Sequence, residues 1–337
     1  MTPNPSRITS MASIFQDSAV LFAATDLGIF GALARLGETS APALAKELTL
    51  DPRGATLMLD ACVAVGLLEK HGECYRNTAE SALFLVPGSP ADLSKALLYM
   101  RDVYPAWGRL AGLVKSGQPV ESPQLHLGAD EARTRTFVMS MHGKAMATAQ
   151  PVLAQLPLDG CKQLLDVGGG PGTYSVAISR AYPELQATVL DLPDVIAIAQ
   201  QLIQQQGAAE RVHTVAGDYH VTPFPAGNDV VLFFGMLHQE SAEGIQRLLR
   251  KAYDSMTPGG TVFVMDMMTD PTHTAPKFSA LFAVNMALTT TSGWVFSSAE
   301  LTEWLQAAGF TDVDVRPLPP PIPHWMARAR KPGPAVG

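Results

Sequence analysis

Three aspartates and a glycine-rich turn fall at intervals that suit a nucleoside-bearing ligand. Leu164-Leu165-Asp166-Val167 reads as an apolar strand ending beside an acid, and it runs into Gly168, Gly170 and Gly172. Glycines so spaced let the backbone turn sharply and approach a ligand closely, because no Cβ intrudes. The dinucleotide fingerprint G-x-G-x-x-G would need its third glycine at Thr173. The pattern therefore suits S-adenosyl-L-methionine (SAM) better than NAD. A second strand at 187–190 ends in Asp191, 25 residues after Asp166. A carboxylate at that strand tip can accept from both ribose hydroxyls. A third strand at 212–215 leads to Asp218 and Tyr219. Asp218 could take the adenine amino group, with Tyr219 or an apolar neighbour against the ring. Any one of these aspartates also reads as a turn or cap residue; the series points to the cofactor.

Bulk properties narrow the chemistry further. At 337 residues the chain holds two domains or one large one, and its 47% apolar content suffices for a substantial core. No apolar run reaches the length of a membrane span, and no basic-then-apolar leader opens the chain, so a soluble cytoplasmic protein is expected. Cys62, Cys74 and Cys161 are widely separated and odd in number, which predicts reduced thiols rather than disulfides or a zinc site. The net charge of −7 argues against a nucleic-acid partner and in favour of a small-molecule substrate. His213, His220, His273 and His324 show no ligand spacing, so no metal is assigned.

The elements that must position these residues fall into two patterns. Residues 8–86 read as helices with one short hairpin: Asp51-Pro52 is a helix start, and 67–70 and 74–76 flank a turn at His71-Gly72. This is a winged-helix order, yet the candidate recognition helix holds only Arg53 as a basic residue. DNA binding is accordingly not expected, and an interaction module is. Residues 11–33 are apolar around too much of their circumference for one solvent-exposed helix, which predicts burial against a partner subunit or against their own domain. Residues 94–156 read as helical, with a Gly/Pro-interrupted connection at 116–129. Strands and helices then alternate, as in a parallel sheet: a strand at 228–234, a helix at 241–255 stopped by Pro258-Gly259-Gly260, a strand at 261–265, and a helix capped by Ser297 and Glu300. Segments 311–316 and 324–330 fit a closing antiparallel pair.

Taken in order, the winged-helix half, the Asp166–Gly172 loop, Asp191, Asp218 and His238 resemble the class I SAM-dependent small-molecule O-methyltransferases, the family of hydroxyindole and caffeate O-methyltransferases. The resemblance covers nearly the whole chain. It implies an α/β fold with a Rossmann-like, seven-stranded SAM-binding domain at 101–337, including a helical linker, and a winged-helix dimerisation domain at 1–100. It also implies a homodimer, S-adenosyl-L-homocysteine (SAH) as product, and an acceptor pocket with His238 as base. His238 follows a predicted strand at its carboxyl end, where open α/β sheets bind ligands. A histidine there could take a hydroxyl proton as the methyl arrives.

Three departures from the family bear on the acceptor. Gln239 and Glu240 stand where Asp-Trp is usual, Asp266 replaces a glutamate that orients the histidine, and a further glutamate position falls near the apolar Val295. A base site present only in part would hamper a phenol, which must lose its proton, but not a thioether, which has none to lose. The leading expectation is thus S-methylation of a small thioether acid such as 4-methylthio-2-hydroxybutyrate, towards dimethylsulfoniopropionate. The alternatives are O-methylation of a phenolic or hydroxy metabolite with His238 as base, a SAM-fold enzyme that transfers no methyl, and a non-enzymatic regulator. Phe137, Met141 and Met286 match family pocket positions, with Asn285 beside the last. Arg101, Tyr104, Arg133, His142 and Lys144 could hold an acceptor carboxylate.

Overall fold

In the computed structural model, which describes residues 4–122 and 130–333, the chain parts between Arg101 and Asp102 into two units. The first is built from short helices. The apolar stretch at 11–33 does not run as one helix: α1 (Ser6–Ser13), α2 (Phe15–Asp26) and α3 (Ile29–Leu36) are separate, and Gly28 takes φ +71° just before α3. Then follow β1 (Thr39–Ser40), α4 (Ala41–Glu47) and α5 (Pro52–Ala64). Asp51 caps α5 by accepting from Gly54 N–H at 2.6 Å. The wing forms where its turn residues sit, as β2 (Leu68–His71) and β3 (Cys74–Asn77) around Gly72 at φ +58°, with β1 completing a β1-β3-β2 sheet. After α6 (Ala79–Phe84), Phe30, Leu33, Leu44, Leu59 and Tyr75 close the core of this unit. None of α1 is buried, and Ile8, Met11, Ile14 and Phe15 are all more than half exposed, at 66, 60, 64 and 54%.

The region expected to be helical from 94 to 156 is interrupted. It comprises α7 (Leu98–Trp107), α8 (Leu110–Ser116) and α9 (Glu131–Leu153). Of the expected connection at 116–129, residues 123–129 lie outside the described residues. Beyond it the chain alternates: β4 (Gln163–Val167), α10 (Thr173–Ala181), β5 (Gln186–Asp191), α11 (Pro193–Gln205), β6 (Val212–Ala216), β7 (Asn228–Phe234), α12 (Ala242–Ser255) and β8 (Met256–Asp266). Strand β8 starts five residues before the expected 261, taking up Pro258-Gly259-Gly260 through an irregular register against β7. Then come α13 (Lys277–Thr289), α14 (Ser298–Ala307), β9 (Thr311–Pro317) and β10 (Trp325–Arg330). The capping box at Ser297 and Glu300 forms at the start of α14.

These strands make one seven-stranded sheet, β6-β5-β4-β7-β8-β10-β9, parallel except for the two pairings that β10 makes with β8 and β9. Strands β4 and β7 are buried along nearly their whole length, with core clusters on both faces of the sheet. The chain leaves β4 towards β5 and β6, then returns to β7 on the other side of β4. That reversal opens a crevice at the carboxyl ends of β4 and β7, the place where ligands bind in such sheets. Among the described residues, no single helix is long and apolar enough to cross a membrane.

Candidate active site

At the tip of β4 the chain turns through Gly168, Gly170 and Gly172, all left-handed at φ +63, +54 and +69°. Gly168 must be small, because a Cβ there would come within 3.1 Å of the Met236 side chain, just after β7. The turn is braced from β5: Gly168 N–H donates to Leu190 O at 2.8 Å, and Gly170 N–H to Asp191 Oδ2 at 2.7 Å. Asp191 Oδ1 accepts from Leu192 N–H at 2.7 Å, so each carboxylate oxygen retains a lone pair. Asp166 is buried; its Oδ2 accepts from Ser175 Oγ at 2.7 Å, while Oδ1 has no partner among the described residues. Burial pushes both acids up to about 6, with Asp191 adding to the rise at Asp166.

Beyond β6, Asp218 Oδ1 accepts from His220 N–H at 2.8 Å. Tyr219 donates its hydroxyl to Glu240 Oε1 at 2.8 Å, and His220 Nε2 lies 3.2 Å from the same oxygen. Glu240, which stands in a position where the resemblance led us to expect tryptophan, is thus a buried partner of the residue beside Asp218.

The other side of the crevice carries a histidine and a carboxylate. His238 lies in a 3-10 turn (Leu237–Gln239) after β7, and its Nδ1 sits 2.6 Å from Asp266 Oδ1 at the end of β8. The His238 backbone N–H donates to Asp266 Oδ2 at 3.2 Å, and Met267 N–H to Oδ1 at 2.7 Å. Asp266 thus keeps a carboxylate on the histidine ring where the family's glutamate is replaced, while the second carboxylate position stays apolar. The shorter side chain of Asp266 reaches the ring because β7 and β8 pair in parallel to their ends, Phe234 opposite Met265. No carboxylate replaces Val295, which is buried; instead Trp294 N–H donates to His238 O at 2.9 Å. Glu300 is engaged in the cap of α14. Phe282, which the sequence did not single out, packs edge-on to the His238 ring with centroids 5.0 Å apart.

The residues expected to bind the acceptor scatter. Arg101 pairs with Asp26 at 2.6 Å inside the first unit, and Tyr104 lies half-buried on α7. Phe137 packs with Val195, Ile198 and Leu202 of α11 in a small core, because this face of α9 covers a neighbouring helix. Met141 is half-buried on α9. His142 Nδ1 lies 2.7 Å from Thr173 Oγ1 in the first turn of α10, at the glycine-loop end of the site. Arg133 lies 3.7 Å from Glu121. Lys144 on α9 is lowered to about 8 by burial. Asn285 accepts from Trp107 Nε1 at 3.0 Å, and Met286 beside it is buried. On α13, then, Asn285 is fixed by an indole rather than open to solvent.

Comparison with known proteins fits this geometry. A family model described as an O-methyltransferase domain matches residues 122–311, and one described as an O-methyltransferase dimerisation domain matches residues 9–87. The chain belongs to the O-methyltransferase family. This O-methyltransferase is 35% identical to the 3-hydroxy-5-methyl-1-naphthoate 3-O-methyltransferase of Streptomyces sahachiroi, over 92% of this chain and 90% of that protein. It is 32% identical to rat (Rattus norvegicus) acetylserotonin O-methyltransferase, over 98% and 78%. The crystal structure of human N-acetylserotonin methyltransferase in complex with SAM superposes with a TM-score of 0.88 at 27% identity, covering 98% of this chain and 99% of the other. For the O-methyltransferase described here, the fit to SAM rests on its own atoms. The glycine turn leaves Gly170 with nothing within 4 Å of where a Cβ would stand, and Asp166 offers a buried, unpaired carboxylate oxygen to a cationic ligand. The curated relatives are O-methyltransferases by name, so the findings favour O-methylation over the expected S-methylation of a thioether acid.

Proposed function

We propose that this chain uses SAM to methylate an aromatic hydroxyl of a small acceptor, with His238 as general base and Asp266 as the residue that orients it. The observation that carries the reading is the 2.6 Å contact between His238 Nδ1 and Asp266 Oδ1. It leaves Nε2 for the acceptor and stabilises the imidazolium that forms. The naphthoate relative, whose name gives its acceptor as an aromatic hydroxyl compound, supports the same class.

SAM supplies a methyl group already activated on a sulfonium sulfur, so transfer needs chiefly in-line placement and a competent nucleophile. In the proposed step, the hydroxyl proton passes to His238 Nε2 as the oxygen–carbon bond forms and the carbon–sulfur bond breaks. The products are the methyl ether, SAH and a proton on His238 that is later lost to water. Gly168, Gly170 and Gly172 would hold the cofactor's amino-acid end with Asp166, Asp191 its ribose, and Asp218 with Tyr219 its adenine. Asn285, Met286, Met141 and Phe282 would border the acceptor.

The exposed apolar residues of α1 and the matched dimerisation domain support a homodimer formed through the N-terminal unit. The three free thiols support a cytoplasmic setting. An acceptor panel with methyl-labelled SAM, comparing phenols, aliphatic hydroxy acids and thioether acids, tests the reading. Label on the phenols alone is the expected result; label on the thioether acid alone would overturn it.

A further inference from the structure

His324 stands just outside β10 and has no place in the chemistry above. Trp325, the next residue, pairs with Asp266, so His324 comes to the end of β8 beside the His238–Asp266 pair. Its backbone carbonyl accepts from Leu318 N–H at 2.9 Å, which fixes the residue in the turn between β9 and β10. Three ionisable groups act on its ring electrostatically: Asp266, His238 and Lys144 of α9. Among the described residues neither ring nitrogen has a hydrogen-bond partner, and Nδ1 is buried. His324 is half-buried, and a buried Nδ1 without a partner is costly, whereas an apolar side chain would fill the same space without that cost.

We propose that His324 recognises a second oxygen function on the acceptor, a hydroxyl or carbonyl borne next to the hydroxyl that is methylated. This inference rests on the aromatic-hydroxyl reading given above. Burial and the neighbouring cations lower the ring to about 4, so at neutral pH it is uncharged. A neutral imidazole presents one donor and one acceptor, and it can meet either a carbonyl or a hydroxyl. An imidazole held this low is a weak base, so recognition rather than proton removal is its role. Lys144, which acts on the same ring electrostatically, adds a positive field that favours an electron-rich oxygen there. Acceptors with a single oxygen would leave the nitrogens unpaired in the filled site, which is how a buried polar group discriminates against an analogue lacking its partner.

The test compares 2,3-dihydroxynaphthalene with 2-naphthol in the wild-type enzyme and in His324→Phe and His324→Gln. Wild type is expected to prefer the diol by about tenfold in kcat/KM, beyond the twofold advantage of its two equivalent hydroxyls. In His324→Phe that preference should collapse to about twofold, mainly through KM, and His324→Gln should restore part of it. SAH affinity by calorimetry should stay within about twofold in both variants, which separates recognition from misfolding. A diol preference that survives in His324→Phe, or its absence in wild type, overturns the inference while leaving aromatic O-methylation intact. Methylation of a thioether acid with neither naphthol turned over would overturn the aromatic reading itself, and this inference with it.

Discussion

The two acids of the cofactor side and the histidine of the acceptor side respond differently to substitution. His238→Ala should lower turnover of a phenolic acceptor by about a hundredfold or more, since the hydroxyl loses its base, while SAH affinity stays unchanged by calorimetry. Asp266→Asn should fall between wild type and that variant, because the ring loses its charged orienting partner but not its place. Asp191→Ala should weaken SAH binding by more than about tenfold, because it removes the proposed ribose acceptor and the brace on Gly170 N–H together. Asp166 and Asp191 are both raised to about 6 in the fold. The folded chain therefore takes up their protons at higher pH than the unfolded chain does, and these two groups favour folding increasingly as pH falls from about 6 towards 4. Their carboxylate form, however, is the one that accepts from ribose or pairs with a cation. The rise in melting temperature produced by SAH should thus shrink between about pH 7 and pH 5, while the free protein gains from these two sites. Parallel thermal scans with and without SAH across that range measure both effects.

Among the secondary-structure elements, short-range chemistry was legible and long-range pairing was not. The glycine turn, the three strand-tip aspartates, the Asp51 cap and the capping box at Ser297 are each written within a few residues, and each forms. Removing the Ser297 hydroxyl in Ser297→Ala should cost about 1 kcal/mol, read as a lower urea midpoint with an unchanged slope. What could not be read was how separate segments meet. Asp266 is a catalytic candidate beside His238 on sequence grounds, but its reach to the ring depends on the parallel register of β7 and β8, which sequence spacing does not state. The resemblance puts Phe137 against the acceptor, yet the face of α9 that carries it packs on α11, and helical periodicity alone does not say which neighbour a face covers. His324 had no local mark at all: it is a loop residue whose meaning comes from Trp325 lying opposite Asp266.

For the molecule as a whole, the first unit keeps on its surface the apolar residues that a lone chain would bury. Ile8, Met11, Ile14 and Phe15, from α1 to the start of α2, are each more than half exposed among the described residues, and exposed apolar residues grouped in this way mark an interface. The double substitution Ile8→Asp with Phe15→Asp should turn the dimer into monomers or insoluble protein; a well-behaved dimer in sedimentation velocity would contradict that interface. The second unit holds its ligand-facing groups along one rim of a single sheet, and one side chain joins the two halves of that rim. Glu240 carries the Tyr219 hydroxyl on one oxygen while standing two residues from His238. Its loss would strand the tyrosine and slacken the turn that bears the base in the same stroke. Nucleoside affinity and methyl-transfer rate should consequently decline as a pair when Glu240 is replaced, although it belongs to neither constellation.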